Sequence, residues 1–290
     1  MGSENHLQDR ARLLISCDDR PGIVAEVTKF LFDAGGNIIE SDQYSTDPAG
    51  GTFFMRVVFD RPNLKKVRKK LARDFEKVAG KFSMTWRISY AGERKKMAVF
   101  VSKTDHCLLE LLWRWQAGDI RVDIPLVVGN HPDLRGTAET FGIPFYHVPV
   151  SKGEKADAEH RQLALLKEYE ITFVVLARYM QILSSSFVTL YPNNLINIHH
   201  SFLPAFSGAR PYERAYERGV KIIGATSHYV TDQLDEGPII AQGVKEVNHR
   251  NHVDELKRIG RTIERDVLAT AVSLHLEDRV IVHGNKTVVF

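Results

Sequence analysis

Met97-Ala98-Val99-Phe100-Val101 is an unbroken apolar stretch, and it decides the class of the larger part of the fold. Three similar apolar runs follow it, at residues 124–128, 145–148 and 171–176. Such runs are typical of strands buried on both faces, and the helical stretches between them indicate a parallel sheet. The sequence therefore predicts a doubly wound, mostly parallel α/β domain. Further elements extend it: strands at residues 222–230 and 238–247, and a helix at residues 253–276.

The chain before this domain has a different pattern. An apolar strand at residues 11–17 runs into the turn Asp18-Asp19-Arg20-Pro21-Gly22, after which apolar residues recur at helical spacing. The remaining predicted elements are strands at residues 38–44 and 52–59, a helix at 62–78 and a strand at 82–90. The order β-α-β-β-α-β predicts a small ferredoxin-like sandwich of one sheet and two helices.

Length and charge agree with two domains. At about 150 residues per domain, 290 residues suggest two, and we expect them at residues 9–91 and 97–290 with a linker at 92–96. The formal charge of +3 is uneven, because residues 61–96 hold 13 Lys or Arg against 3 Asp or Glu. The basic residues 65–70 lie opposite the apolar stripe of their helix, so we interpret them as a solvated face and expect no nucleic-acid partner.

The cellular setting is predicted from what the sequence lacks. The first twenty residues hold no apolar run of a secretory signal, and about 18 consecutive apolar residues occur nowhere, so we expect no membrane partner. Two cysteines, Cys17 and Cys107, are too few for a disulfide framework or a thiolate zinc site. These observations favour a reduced, cytoplasmic protein.

The residues that can carry chemistry fall in two clusters, Asn197-Ile198-His199-His200-Ser201-Phe202-Leu203-Pro204 and a later turn that contains Asp235. On a strand, Asn197 and His199 project to one face, where an amide and an imidazole can hold the oxygen of an attacked carbonyl. Asp235 can then serve as a proton acceptor. His228 is a candidate supporting residue, although a lone histidine on a strand is more often structural. No chelating spacing predicts a metal site.

The first domain resembles the ACT domain. Asp19-Arg20-Pro21-Gly22-Ile23-Val24 and Gly35-Gly36-Asn37-Ile38 carry the resemblance, together with the order of the elements. It implies a small amino acid as effector and pairing of domains between chains, hence a homo-oligomer, a dimer or a tetramer. The effector site that it implies consists of Asp19, Arg20, Pro21, Gly22, Ile23, Gly36 and Asn37.

The second domain resembles the folate-dependent formyltransferase fold. In that family an Asn, a His two residues later and the Asp of an Asp-x-Gly-Pro-Ile turn form the catalytic set, which falls here on Asn197, His199 and Asp235. The resemblance also implies binding of the pterin ring of a folate. The implied substrate residues are Arg178, Tyr179, Met180, Gln181, Ile182, Leu183, Gly208 and Val230.

The acceptor of the formyl group separates the alternatives. The loop after the first strand, Ser102-Lys103-Thr104-Asp105, has no glycine to cradle a phosphate and adds a carboxylate, which disfavours a ribonucleotide acceptor. The ACT domain joined to a formyltransferase-like domain, with this loop, resembles the formyltetrahydrofolate deformylase family. The resemblance implies hydrolysis of 10-formyltetrahydrofolate to formate and tetrahydrofolate without metal or cofactor. Two alternatives stay open from the residues: formyl transfer to an amine, and a non-catalytic sensor of amino acid and folate.

Overall fold

A computed structural model describes residues 6–47, 50–151, 153–204 and 210–290 of the chain. The chain forms two compact units. The first comprises Met1–Arg94, Asp278–Ile281 and Val288–Phe290, and the second comprises Lys95–Glu277 and Val282–Thr287. The end of the chain, predicted as part of the second domain, is thus shared between them. Lys95 and Lys96, predicted as linker, already belong to a strand.

The first unit has the predicted order of elements. These are β1 Arg10–Asp18, α1 Ile23–Asp33, β2 Asn37–Ser45, β3 Thr52–Asp60, α2 Leu64–Phe82 and β4 Thr85–Tyr90. The four strands form an antiparallel sheet in the order β2-β3-β1-β4. Helix α2 continues beyond its predicted end at residue 78, and it stops where Ser83 takes a left-handed conformation with φ 52°. The predicted last strand therefore begins three residues later than expected.

The core of the first unit lies between its sheet and its helices. Leu13 and Phe59 of the sheet, Val27 of α1 and Phe75 of α2 belong to one buried cluster. The exposed side of α2 carries its lysines at positions 65, 66, 69 and 70. Their exposure supports the interpretation of this basic run as a solvated face.

The second unit is built on a seven-stranded sheet. Its strands are β5 Lys95–Val101, β6 Val122–Gly129, β7 Phe145–His147, β8 Phe173–Ala177, β9 Leu195–His199, β10 Ile222–Tyr229 and β11 Ile239–Glu246. Its helices are α3 His106–Ala117, α4 Arg135–Thr140, α5 Lys155–Glu168, α6 Ser185–Thr189, α7 Pro211–Arg218 and α8 Val253–Leu276. Two short strands, β12 Val280–His283 and β13 Lys286–Val289, pair near the end of the chain.

The strand order β11-β10-β9-β8-β5-β6-β7 confirms the doubly wound, mostly parallel prediction. Strands β5 to β9 pair in parallel, whereas β10 is antiparallel to both β9 and β11. Every residue from Met97 to Val101 is fully buried. Both faces of β5 are therefore covered, as its unbroken apolar run predicted. No helix in the described part of the chain is long and apolar enough to cross a membrane.

Phe100 offers a test of this core. Its ring is fully buried and meets the rings of Tyr179 and Phe187 edge-on. We expect Phe100→Ala to lower the free energy of unfolding by about 3–5 kcal/mol, because a cavity replaces the ring. Urea denaturation measures this change. Leu190→Ala is the control, since Leu190 is exposed, and its effect should stay within about 0.5 kcal/mol. Equal effects of the two substitutions would contradict this description of the core.

Candidate active site

A cavity of about 370 Å³ opens beside the ends of β8 and β9. Open parallel sheets bind ligands at this edge. Residues from the ends of three strands and from the segments after them line the cavity. They include Leu176, Arg178, Tyr179, Met180, Gln181, Ile182, Leu183, Asn197, His199, His200, Arg210, His228, Val230, Leu234 and Asp235.

The pairing of β9 with β10 places Asn197 beside His228. The two residues are partners in the antiparallel ladder, and Asn197 Nδ2 lies 3.2 Å from His228 Nε2. His228 Nδ1 lies 2.9 Å from the carbonyl oxygen of Tyr229, which can only accept, so Nδ1 carries the proton. His228 Nε2 thus lies next to the Asn197 amide and, at a longer distance, the Asp235 carboxylate. His228 therefore holds the Asn197 side chain in place beside Asp235.

His199 is held by the carboxylate of Asp235. His199 Nδ1 donates to Asp235 Oδ2 over 3.1 Å, and His228 Nε2 lies 3.7 Å from Asp235 Oδ1. Burial alone would raise the pKa of the Asp235 carboxyl, but the contacts with His199 and His228 outweigh it and hold that pKa well below its usual range. Asp235 is thus an ionised carboxylate. His199 Nε2 is buried and has no hydrogen-bond partner among the described residues.

The turn that carries Asp235 is defined by backbone geometry. Asp235 has a left-handed φ of 58°, a conformation that Asp tolerates better than most residues. Two residues later, a Cβ on Gly237 would lie 1.8 Å from the carbonyl oxygen of Tyr229. Only glycine permits this approach, and a hydrogen bond from Tyr229 N to the carbonyl oxygen of Pro238 closes the contact over 2.9 Å. The Asp-Glu-Gly-Pro sequence therefore presses the turn against β10 and brings Asp235 to His199.

The segment after β8 forms an apolar wall of the cavity. Ser102 Oγ accepts from Met180 N over 2.9 Å and donates to Asn130 Oδ1 over 2.7 Å, which fixes the segment to the ends of β5 and β6. Tyr179 turns into the core, where its hydroxyl accepts from Gln162 Nε2 over 2.8 Å. Met180 and Ile182 stay more than half exposed. Exposed apolar side chains that line a cavity are typical of a ligand-binding site.

The arrangement suits attack on a carbonyl group. Asn197 Nδ2 carries two protons, and His199 Nε2 is unoccupied and donates when the ring is protonated. Both can then donate to one oxygen on which negative charge develops. The ionised carboxylate of Asp235 fixes His199 and can accept a hydrogen bond from an attacking water.

The structure brings most of the predicted residues into this one cavity. Asn197, His199 and Asp235 line it together with His228, Val230 and the six predicted residues from Arg178 to Leu183. Gly208 lies outside the described residues. Sequence reasoning missed Arg210, which also lines the cavity. Its position just before Pro211, the first residue of a helix, was the available signal.

The predicted effector residues separate into two places. Asp19, Arg20, Pro21, Gly22 and Ile23 line a cavity of about 480 Å³ at the start of α1. Val24, Ala25 and Phe53 complete it. Gly36 and Asn37 follow the opposite end of α1 and are not among its lining residues. Gly36 instead packs on the helix end, with its N–H donating to the carbonyl oxygen of Leu31 over 2.8 Å.

A group of potential metal ligands lies next to Arg178, a residue of the active-site cavity. His106, Cys107 and Glu264 are buried and offer ligand atoms within 4.8 Å of one another. The Glu264 carboxylate already contacts His106 Nε2 at 2.8 Å and the Tyr212 hydroxyl at 2.6 Å. The Arg178 guanidinium lies 3.4 Å from it. A divalent cation would face this positive charge, so the group fits an internal ion pair better than a metal centre.

Both parts of the chain match known families. A family model described as "Formyl transferase" matches residues 95–272, and a model described as "ACT domain" matches residues 11–76. The cavity with Asn197, His199 and Asp235 lies within the first match, and the cavity at the start of α1 lies within the second.

Several relatives match over nearly the whole chain. A formyltetrahydrofolate deformylase from Bacillus subtilis is 56% identical over 98% of this chain and 94% of its own length. One from Synechocystis is 53% identical over 97% and 98%. The crystal structure of a formyltetrahydrofolate deformylase from Burkholderia mallei superposes with a TM-score of 0.91 at 42% identity and covers 97% of this chain and 99% of its own. A glycinamide ribonucleotide transformylase from Symbiobacterium toebii gives 0.65 at 28%, covering 68% and 94%.

The geometry around Asp235 predicts a measurable titration. Because His199 and His228 lower its pKa, we expect the Asp235 carboxyl to titrate below the ordinary value of about 3.9. In His199→Leu the pKa of Asp235 should rise, because the His199 contact that opposes the effect of burial is lost. Carbon-13 NMR of the carboxyl carbon measures both.

The same shift fixes a pH dependence of stability. A depressed folded-state pKa stabilises the fold above the unfolded pKa of about 3.9, and this contribution disappears as the pH falls through the folded value. Asp235→Asn should therefore lose stability relative to the parent at neutral pH and lose progressively less below about pH 3.9. An unchanged difference across that range would contradict the ion pair.

Proposed function

This chain belongs to the formyltetrahydrofolate deformylase family; we propose that it hydrolyses 10-formyltetrahydrofolate to formate and tetrahydrofolate. The observation that carries the proposal is the 56% identity to a formyltetrahydrofolate deformylase over 98% of the chain. This span includes both domains. The cavity with Asn197, His199 and Asp235 supports it, because these groups suit attack of water on a formamide.

We propose the following roles in the reaction. Asn197 Nδ2 and protonated His199 Nε2 donate to the formyl oxygen, which becomes an oxyanion when water bonds to the formyl carbon. Asp235 orients the water. Because its pKa is depressed, the carboxylate is a weak base. Proton transfer therefore follows attack, when the bound water oxygen has become strongly acidic. The proton then reaches the folate nitrogen, the carbon–nitrogen bond breaks, and formate leaves.

The pterin ring fits the apolar wall after β8. Met180 and Ile182 on one side and Leu234 on the other are exposed in the cavity and can pack on its faces. We propose that the segment from Arg178 to Leu183 and Val230 bind the ring. No metal or cofactor takes part in this proposal.

The two alternatives have less support. Structures of glycinamide ribonucleotide transformylases cover about two thirds of this chain at 28–32% identity, whereas deformylases match both domains. A sensor without catalysis would have no use for two donors and a carboxylate converging in one cavity. Formyl transfer to an amine and a purely binding role are therefore not favoured.

We also propose a setting for the reaction. Formate and tetrahydrofolate are one-carbon compounds, so the enzyme would return reduced folate to this pool and supply formate for purine synthesis. Both cysteines are free and buried, as in a reducing compartment, which supports the cytoplasm. We propose that the ACT domain pairs between chains, which would make the protein a homo-oligomer, a dimer or a tetramer.

The catalytic assignment predicts the effect of two substitutions. We expect Asn197→Ala and Asp235→Ala to slow formate release by about 10²–10³-fold, because each removes a group that stabilises or positions the transition state. The assay uses 10-formyltetrahydrofolate and water alone. Asp266→Asn serves as the control, since this exposed carboxylate lies on the surface of α8. Near-parental rates in both variants, or turnover only when an amine is added, would contradict the catalytic assignment.

The effector cavity predicts a response to a small amino acid. We expect glycine or methionine to change the rate of formate release severalfold. Gly22→Ala should remove the response, because Gly22 lines the cavity at a φ of 96° that a side chain strains. Gly118→Ala is a matched control, with a similar φ of 84° at a helix end in the other domain. A response that survives in Gly22→Ala would contradict the effector site.

A further inference from the structure

Glu264 is a buried charge that the reaction described above does not use. It lies in the middle of α8, and its residue is 1% exposed. Burial alone would raise the pKa of this carboxyl, but His106, Arg178 and Tyr212 together lower it. Glu264 is therefore an ionised carboxylate inside the fold. Burying such a charge costs free energy unless partners compensate it, so the groups that contact Glu264 are of interest.

The three partners of Glu264 come from three segments around the cavities. Tyr212 donates its hydroxyl to Oε1 over 2.6 Å, and His106 Nε2 lies 2.8 Å from Oε2. Arg178 Nε lies 3.4 Å from Oε2. Tyr212 follows Arg210 of the active-site cavity, and His106 follows the loop at residues 102–104, which lines a second cavity of about 190 Å³. One carboxylate thus ties together three segments that form cavity walls.

Helix α8 is shaped to receive Tyr212. Gly260 lies one turn before Glu264, and a Cβ at this position would be 1.9 Å from the Tyr212 hydroxyl oxygen. Glycine inside a helix costs about 1 kcal/mol relative to alanine. The helix is therefore less stable in itself with Gly260, but only glycine leaves room for the Tyr212 side chain. This indicates that the contact between Tyr212 and Glu264 is a specific part of the fold.

Arg178 is the partner that lines the cavities. It follows β8 with a left-handed φ of 61°, and it lines both the active-site cavity and the second cavity. Its Nε and Nη1 atoms are buried without a hydrogen-bond partner among the described residues. The cation therefore lies in a wall common to two cavities, and Glu264 is the carboxylate that balances its charge.

The Arg178 cation also affects the ring next to His199. Burial lowers the pKa of His200 to about 4, and Arg178 and His199 add to the effect, while Glu264 and Asp235 oppose it. The rings of His199 and His200 lie with centroids 5.1 Å apart. His200 is thus neutral at neutral pH.

We propose that Glu264 is a positioning residue that fixes the Arg178 guanidinium at the wall shared by the two cavities, where its positive charge acts on the substrate. This inference rests on the proposed function. Hydrolysis turns a neutral formamide into anionic formate within the active-site cavity. A cation fixed in its wall favours that change of charge, whereas a guanidinium released from Glu264 would take several rotamers and lose this effect.

A double-mutant cycle between Glu264 and Arg178 tests the proposal. Formate release is measured for the parent, Glu264→Gln, Arg178→Met and the double variant. We expect each single substitution to lower kcat/KM by about 10²-fold, because Gln no longer holds the cation in place. The double variant should be no slower than Arg178→Met alone, since Glu264 acts through Arg178. Glu264→Asp keeps the charge and should recover part of the loss.

Two controls distinguish loss of positioning from loss of folding or stability. Asp266→Asn removes a carboxylate from the exposed side of the same helix two residues away and should leave kcat/KM unchanged. Thermal unfolding of each variant reports the stability. If Glu264→Gln does not fold, the cycle is run with Glu264→Asp, whose shorter side chain withdraws the carboxylate from Arg178. A smaller loss of kcat/KM is then expected, and it should disappear in the Arg178→Met background.

The outcomes are distinct. Losses that multiply in the double variant, or parental kcat/KM in Glu264→Gln, would overturn the positioning role. Absence of formate release from the parent itself would instead refute the proposed hydrolysis. A double variant as active as Arg178→Met supports the inference.

Discussion

The antiparallel pairing of β9 with β10 is the constraint on which the active site depends. It sets Asn197 opposite His228 and His199 opposite Thr226. Thr226 in turn bonds the segment after β9, because its hydroxyl accepts from Leu203 N and donates to the carbonyl oxygen of Ser201. A shift of one residue would send Asn197 and His199 to the other face of the sheet. The reversal of strand direction at β10 therefore serves the site as well as the sheet.

Two buried carboxylates, Asp235 and Glu264, organise the groups around this pairing. Each is opposed by burial and stabilised by more than one donor, so each stays ionised. Asp235 fixes the orientation of His199 within the cavity, and Glu264 acts behind its wall through Arg178. The electrostatics of the site are thus set before the substrate arrives, which lowers the reorganisation needed in the transition state.

The sequence predicted those parts of the protein whose geometry is local. The unbroken run at Met97–Val101 predicted a strand buried on both faces, and the spacing of Asn197 and His199 predicted a shared face. Glu264 was missed because its partners Tyr212 and His106 lie 52 and 158 residues away. A signal existed, since Glu264 interrupts the apolar face of α8 between Gly260 and Val267, but a charge in such a stripe does not name its partner.

The division of the chain has a practical consequence for anyone who wishes to recombine its domains. Asp278 follows α8 but belongs to the first unit, where its carboxylate accepts from Ser89 Oγ at 2.7 Å and pairs with Arg87 at 2.6 Å. The regulatory module is therefore discontinuous in the gene. An amino-terminal fragment moved alone into another protein would lack part of the first unit. The missing residues, Asp278–Ile281 and Val288–Phe290, lie at the other end of the chain.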